Sequence, residues 1–287
     1  MSHILRKIPH LQTVLKNCPL VVCDLWGVLH NGVQAHPAAI DALYHVKKCG
    51  IPVALLSNAP KSVDHVTKFL RHLGVPDDIY DVLVTSGSIA QYKISQQYAR
   101  KKVFLMGYVY DEEVLNGLQI ELIDTLEDAE VILTCGLMAD DAEGHREMLQ
   151  KPLENGAVMI IANPDRVVHV GEDLLLCAGV VGDLYAEMGG TVVWCGKPTK
   201  EAFQMCAQKL GLSFGDLQGK ALMIGDSIKT DMMGAKNAGF KSLLITNGIH
   251  REDAIFQKHC DIERDIFTKT FGPAAPLPEY WMPRLQW

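Results

Sequence analysis

The sequence predicts an α/β protein: a parallel sheet with flanking helices, interrupted by an inserted second α/β domain. Three observations predict it. Short apolar runs alternate with amphipathic stretches of roughly ten to fifteen residues, the pattern of βαβ units. The alternation breaks off after Arg100, restarts, and resumes after Gly189-Gly190. Two widely separated apolar runs, Pro19 to Cys23 and Ala221 to Gly225, each end on a carboxylate, Asp24 and Asp226.

The elements follow in order. Leu5 to Lys16 is expected to be a surface helix with Leu5, Ile8, Leu11 and Leu15 on one side. Pro19 to Asp24 reads as a strand, and Pro37 to Lys48 as a helix stopped by Gly50. Ile51 to Ser57 is a strand. Pro60 to Leu73 is a helix, with Pro60 suited to its first turn and Gly74 to its end. Asp81 to Thr85 is a strand and Ser86 to Arg100 a helix. In the second set, Lys102 to Met106, Glu130 to Thr134 and Ala157 to Ala162 are strands. Tyr110 to Gly117, Asp141 to Asn155 and Gly179 to Met188 are its helices. The first pattern then returns: strand at Thr191 to Cys195, helix at Thr199 to Leu210, strand at Ala221 to Gly225, helix at Thr230 to Gly239, strand at Lys241 to Thr246. The expected division is a core of residues 1–100 and 191–287 and an inserted domain of residues 101–190. At about ninety residues the insert is large enough to hold its own core. The tail from Phe271, rich in Pro and aromatics, is expected to order against the main core.

Composition narrows the function. The 287 residues are 48% hydrophobic and 21% charged, ordinary for a soluble globular protein. A net charge of -7 argues against nucleic acid or an anionic membrane surface as main partner. No stretch approaches the ~20 apolar residues of a membrane span, and the first residues are too mixed for a secretory signal, so a cytoplasmic location is expected. None of the eight cysteines forms a Cys-x-x-Cys pair, and buried reduced thiols are expected.

Four segments that each follow an apolar run carry the chemistry: Asp24 to Leu29, Leu56-Ser57-Asn58, Gly196-Lys197-Pro198, and Gly225 to Asp231. Ligands of open α/β sheets gather at the C-terminal ends of the strands. Asp24 and Asp226 can converge there, and two hard oxygen donors suit Mg2+, with phosphate oxygens completing its shell. A carboxylate such as Asp24 attacks phosphorus to form an acyl phosphate. Phosphoryl transfer then needs charge neutralised on the equatorial oxygens. Lys197 is placed to supply it beside a metal held by Asp24, a backbone carbonyl and Asp226. Ser57 is expected to donate to a phosphate oxygen. Asp231 either orients Lys197 or a metal-bound water, or simply stabilises a helix start.

These segments resemble the haloacid dehalogenase (HAD) superfamily. The insertion between the Ser57 and Lys197 segments resembles its class with a large α/β cap, that of the N-acetylglucosamine-phosphate, 4-nitrophenylphosphate and pyridoxal-phosphate phosphatases. The stretches DLWGVLHNG from Asp24, LSNAP from Leu56, TSGSIA from Thr85, NPDR from Asn163, and GDSIKTD from Gly225 fall where that class has its marks. The resemblance implies a Rossmann-like core, Mg2+, an aspartyl-phosphate intermediate on Asp24, and a cap that closes over a small phosphorylated metabolite. It also implies phosphate contacts from Ser57, Asn58 and Lys197, and the cap-borne Asn163 and Asp165 facing the substrate, with an Asn-Pro turn as the alternative for the last pair. A homodimer through the cap is a further expectation.

One residue departs from the pattern. Family phosphatases carry a second Asp two positions after the nucleophile, and here it is Trp26. That Asp protonates the leaving oxygen and later activates water, which indole cannot do. The Trp26 carbonyl remains available as a metal ligand. Dehalogenases of the superfamily also carry an aromatic here, but their reaction uses no Mg2+, and this chain keeps both Asp226 and Asp231. His30, in the turn after Asp24, is either a replacement proton-transfer group or an exposed residue that touches nothing catalytic. Two readings follow: a Mg2+-dependent phosphatase with altered acid–base chemistry, or a catalytically weak protein that uses the metal site to bind a phosphometabolite.

Overall fold

The computed structural model describes residues 4–107, 109–170 and 173–287. The chain divides into two compact units. The first comprises residues up to Ser57, Thr67–Val84 and Lys197–Trp287; the second comprises Asn58–Val66 and Thr85–Gly196. The strands in chain order are β1 (Ile4–Lys7), β2 (Val21–Cys23), β3 (Val53–Ser57), β4 (Val82–Thr85), β5 (Lys102–Met106), β6 (Glu121–Ile123), β7 (Val131–Thr134) and β8 (Val158–Ile161). They continue as β9 (Val167–Val170), β10 (Asp173–Leu176), β11 (Thr191–Trp194), β12 (Leu222–Gly225), β13 (Lys241–Ile245), β14 (Ile262–Glu263) and β15 (Tyr280–Met282).

The first unit is organised on an eight-stranded sheet in the order β14-β1-β15-β13-β12-β2-β3-β4. The central strands β13, β12, β2 and β3 run parallel. β2, β3 and β12 are buried along their whole length, which is why they read as unbroken apolar runs. Register matters more than order for the site. Cys23 pairs with Ile224 on one side and Leu55 on the other. The Asp24 N–H donates to the Ile224 carbonyl at 2.9 Å. Asp24, Asp226 and Ser57 therefore leave the sheet at one edge.

The expected N-terminal helix is absent. Residues 4–7 form β1 and Leu11–Val14 a short 3-10 turn. β1 inserts between β15, to which it is parallel, and β14, to which it is antiparallel. Pro9 offers no N–H to a helix crossing it. Leu5 instead packs with Phe256, Phe267 and Trp281. The tail is ordered, as expected, through β15, which pairs with both β1 and β13.

The second unit has a five-stranded parallel sheet, β11-β8-β7-β5-β6, and a separate β9–β10 hairpin. Its core gathers Phe104, Met106, Ile132, Leu149, Met159 and Tyr185. Three expectations shift. Thr191–Trp194 does not reopen the first sheet but pairs in register with β8. The segment expected as a helix from Tyr110 is a 3-10 stretch, Val109–Leu115. The helix expected from Asp141 begins only at Arg146, after a 3-10 turn at Glu143–His145. His145 explains that delay: its buried Nε2 accepts from the Met138 and Ala139 N–H groups, and Nδ1 meets the Asp141 carbonyl, which holds the preceding loop in place. Among the described residues no helix is long and apolar enough to cross a membrane.

Candidate active site

The edge of the first sheet brings together Asp24, Asp226 and Asp231, all buried, with ligand oxygens within 4.8 Å of one another. Each is held differently. Asp24 continues straight out of β2. Asp226 sits in a cradle of two glycines, Gly27 and Gly248. A Cβ on Gly27 would fall 1.9 Å from Asp226 Oδ2, and one on Gly248 would fall 2.0 Å from it. Only a bare backbone permits that approach. The Ile249 N–H donates to Asp226 Oδ2 at 2.9 Å. Asp231 lies in a wide π-helical turn, Ile228–Met232, where Ser227 N–H donates to Asp231 Oδ2 at 2.9 Å. Such turns are frequent at functional sites because they re-aim a side chain within a helix.

Lys197 enters this cluster with 2% of its side chain exposed. Its Nζ lies 2.5 Å from Asp24 Oδ1 and 2.7 Å from Asp231 Oδ1. Asp231 Oδ1 thus lies within ion-pair distance of Lys197 Nζ. Three carboxylates face one ammonium, so the ionised cluster remains anionic. Burial pushes the Asp24 carboxyl up to about 7; Lys197 opposes the rise and Asp231 adds to it. Burial, with Asp24 and Asp231 alongside, pushes Asp226 well above the carboxylate range. Without a compensating cation, buried carboxylates of this kind take up protons. Hard oxygen donors in a compact, under-neutralised group fit a divalent cation such as Mg2+.

Trp26 is half-buried and its ring meets the His30 ring edge-on, centroids 5.2 Å apart. His30 is not an exposed residue. It is 3% exposed and sits against Phe69 as well, at 5.5 Å. Its Nδ1 accepts from the Gly32 N–H at 3.1 Å. Burial lowers its pKa to about 4, so the ring is neutral near pH 7.

Ser57 closes β3 and is buried. Within the second unit, Asn58, Asn163 and Asp165 are tied together. Asn58 Nδ2 donates to Asp165 Oδ1 at 2.9 Å, and the Asp165 N–H donates to Asn163 Oδ1 at 3.3 Å. Ser86 Oγ donates to the Cys195 carbonyl at 2.9 Å and lies 3.4 Å from Asn58 Oδ1. The turn at Asn163 and the link to Asn58 both engage polar atoms expected to face substrate. The residues that sequence reasoning missed are Gly248 and Ile249. Their signal was present: they come after β13, a buried strand adjacent to β12, and so emerge at the same edge as Asp226.

A family model described as haloacid dehalogenase-like hydrolase matches residues 21–121, and a second, HAD-hydrolase-like, matches residues 194–268. Phosphoglycolate phosphatase 2 of Arabidopsis thaliana is 32% identical over 288 residues, covering 90% of this chain and 91% of that protein. The chain belongs to the haloacid dehalogenase-like hydrolases. A solved member from Brucella suis 1330 has a TM-score of 0.81 at 28% identity and covers 97% of this chain and 100% of its own. Glycerol phosphate phosphatase Rv1692 of Mycobacterium tuberculosis, in complex with magnesium, shares the fold with a TM-score of 0.70 at 21% identity, covering 94% of this chain and 76% of that one. The relatives lie in the class expected from the motifs, and the enzyme class is that of the family's phosphoric monoester hydrolases.

Proposed function

We propose that this HAD-family chain is a Mg2+-dependent phosphatase of a small phosphorylated metabolite, with Asp24 as nucleophile. The observation that carries the reading is the buried group of Asp24, Asp226 and Asp231 around Lys197. Asp24, the Trp26 carbonyl and Asp226 are the ligands assigned to the metal, which supplies positive charge to the phosphate oxygens when bound. Asp24 attacks phosphorus, the ester oxygen leaves, and an aspartyl phosphate forms. Lys197 neutralises equatorial charge and lowers the repulsion between Asp24 and the incoming phosphate. Ser57 donates to a phosphate oxygen, with Asn58 beside it. Water then cleaves the acyl phosphate and regenerates Asp24. The second unit is the cap in this reading; the compact-unit boundaries fall after residues 57, 66, 84 and 196, and the boundaries expected from the sequence were at 100 and 190.

A second reading, a weak or inactive phosphometabolite binder, is favoured by one observation. The residue at the proton-transfer position is an indole packed against His30, and the His30 ring is itself buried and neutral. Phosphate release from aryl, acyl and alkyl phosphomonoesters, with and without Mg2+, separates the two. The phosphatase reading expects Mg2+-dependent release, best with the aryl and acyl esters whose leaving groups need no proton, and its loss in Asp24→Asn. Phosphate binding without release in the parent decides for the binder.

A further inference from the structure

The segment after β13 does more than fill space beside Asp226. Its backbone is the source of the Ile249 N–H that holds Asp226 Oδ2, and Gly248 is the residue that lets the carboxylate come so close. A backbone donor is only as well placed as the segment that carries it. This segment is anchored at both ends. Upstream, the Thr246 N–H donates to the Met282 carbonyl at 3.0 Å and the Asn247 N–H to the Pro283 carbonyl at 2.9 Å. Downstream, His250 Nδ1 lies 2.7 Å from Asp253 Oδ2. The Asp253 N–H returns to the His250 carbonyl at 3.1 Å, and the Arg251 N–H to the Gly248 carbonyl at 3.3 Å.

The His250 ring is fixed on its other sides too. It stands edge-on to Phe271, centroids 5.3 Å apart, and tilted against Phe256 at 6.3 Å. Phe256 belongs to the cluster with Phe267 and Trp281, and Phe271 packs against that cluster. Among the described residues, His250 Nε2 is buried with no hydrogen-bond partner, and the ring's one hydrogen-bond contact is to Asp253. Burial lowers the His250 pKa, although Asp253 pulls it up. In the neutral ring Nδ1 carries the proton and donates to the Asp253 carboxylate.

We propose that His250 and Asp253 are positioning residues for the metal ligand Asp226, acting through the Gly248-Ile249 backbone. The inference rests on the reading of Asp226 as a Mg2+ ligand. Neither residue contacts substrate in this scheme. They set the orientation of one carboxylate, and partners of that kind are typically worth about ten- to a hundredfold in metal affinity.

The test is direct titration of the full chain with Mg2+ alone by calorimetry, repeated with Mn2+ by electron paramagnetic resonance, neither of which needs turnover. His250→Phe keeps the aromatic packing and removes the donor; Asp253→Ala removes the acceptor. Each is expected to weaken Mg2+ binding by about tenfold. The double variant should be no weaker than either single one, because one hydrogen bond is lost once. His250→Asn places an amide donor near the Nδ1 position and should restore most of the affinity. In phosphate-release assays the loss should appear as a higher Mg2+ requirement, with kcat at saturating Mg2+ nearly unchanged. Far-UV circular dichroism confirms that each variant titrated is folded. Folded His250→Phe and Asp253→Ala that bind Mg2+ like the parent overturn the proposal. So does His250→Asn binding as weakly as His250→Phe. A parent that binds no Mg2+ overturns the metal reading itself and the proposal with it, which distinguishes the two failures.

Discussion

At the scale of single residues, Trp26 and Lys197 pull the chemistry in opposite directions. Lys197 is buried beside Asp24 and Asp231, an arrangement that is costly unless the charges have a use. In the proposed reaction it supplies a fixed ammonium to the phosphate. In the same proposed reaction, Trp26 stands where a carboxylate would move a proton to the leaving oxygen. Replacing it with the family residue, Trp26→Asp, should raise hydrolysis of alkyl phosphates by about a hundredfold. Aryl phosphates, whose leaving groups depart unaided, should change little. The indole also packs against His30, so the smaller side chain leaves a void, and rates are to be compared at matched folded fraction. A folded, Mg2+-binding Trp26→Asp that is no faster on alkyl phosphates would show that the missing carboxylate is not what limits turnover.

At the scale of elements, the site depends on where strands stop and on the turns that leave them. β2 and β12 are in register, so their terminal carboxylates meet. β13, paired with β12, brings Gly248 against Asp226. Gly248→Ala is expected to displace that carboxylate and reduce Mg2+ affinity at least about tenfold, since the new methyl carbon would lie 2.0 Å from Oδ2. The control is Gly215→Ala, where the nearest atom to the added carbon is Ser213 Oγ at 4.0 Å. Titration of both with Mg2+, alongside their thermal melts, checks this; equal affinity in the two would contradict it.

At the scale of the whole molecule, no disulfide joins any of the eight cysteines among the described residues; Cys49 and Cys260 are exposed and the other six are buried. Burial pushes the Cys177 and Cys206 thiols up to about 12, so they hold their protons near neutral pH. Thiolate is the reactive form. Brief maleimide labelling of the native chain should therefore modify Cys49 and Cys260 and spare the other six, with all eight reacting after denaturation. Peptide mapping by mass spectrometry reads the outcome, and fast modification of Cys177 or Cys206 in the native chain would contradict the burial described. The first sheet also draws strands from both ends of the chain. β1 lies between β15 and β14, and Trp281 is buried under the ammonium of Lys7, which sits 4.9 Å from its ring.

The sequence by itself determined the parallel architecture and marked the four charged residues that the fold brings together. Those features are local: a fully buried strand must be continuously apolar, and a carboxylate or lysine directly after one stands out against it. Asp24, Lys197, Asp226 and Asp231 were legible for that reason. Only the tertiary structure decided what depends on partners distant in the chain. Leu5, Ile8, Leu11 and Leu15 fit a helical face, yet β15 and β14 supply hydrogen-bond partners that make Ile4–Lys7 a strand. Thr191–Trp194 reads as a core strand by its position in the alternation, and only its pairing with β8 assigns it to the other sheet. His30 reads as a loop residue because its neighbours Asn31 and Gly32 are turn formers, while its burial needs the folded-back Trp26 ring and Phe69 from a distant helix. The backbone grip on Asp226 was hardest to see. It is made by an N–H and a missing side chain, and neither leaves a mark in residue chemistry until the fold brings them within reach.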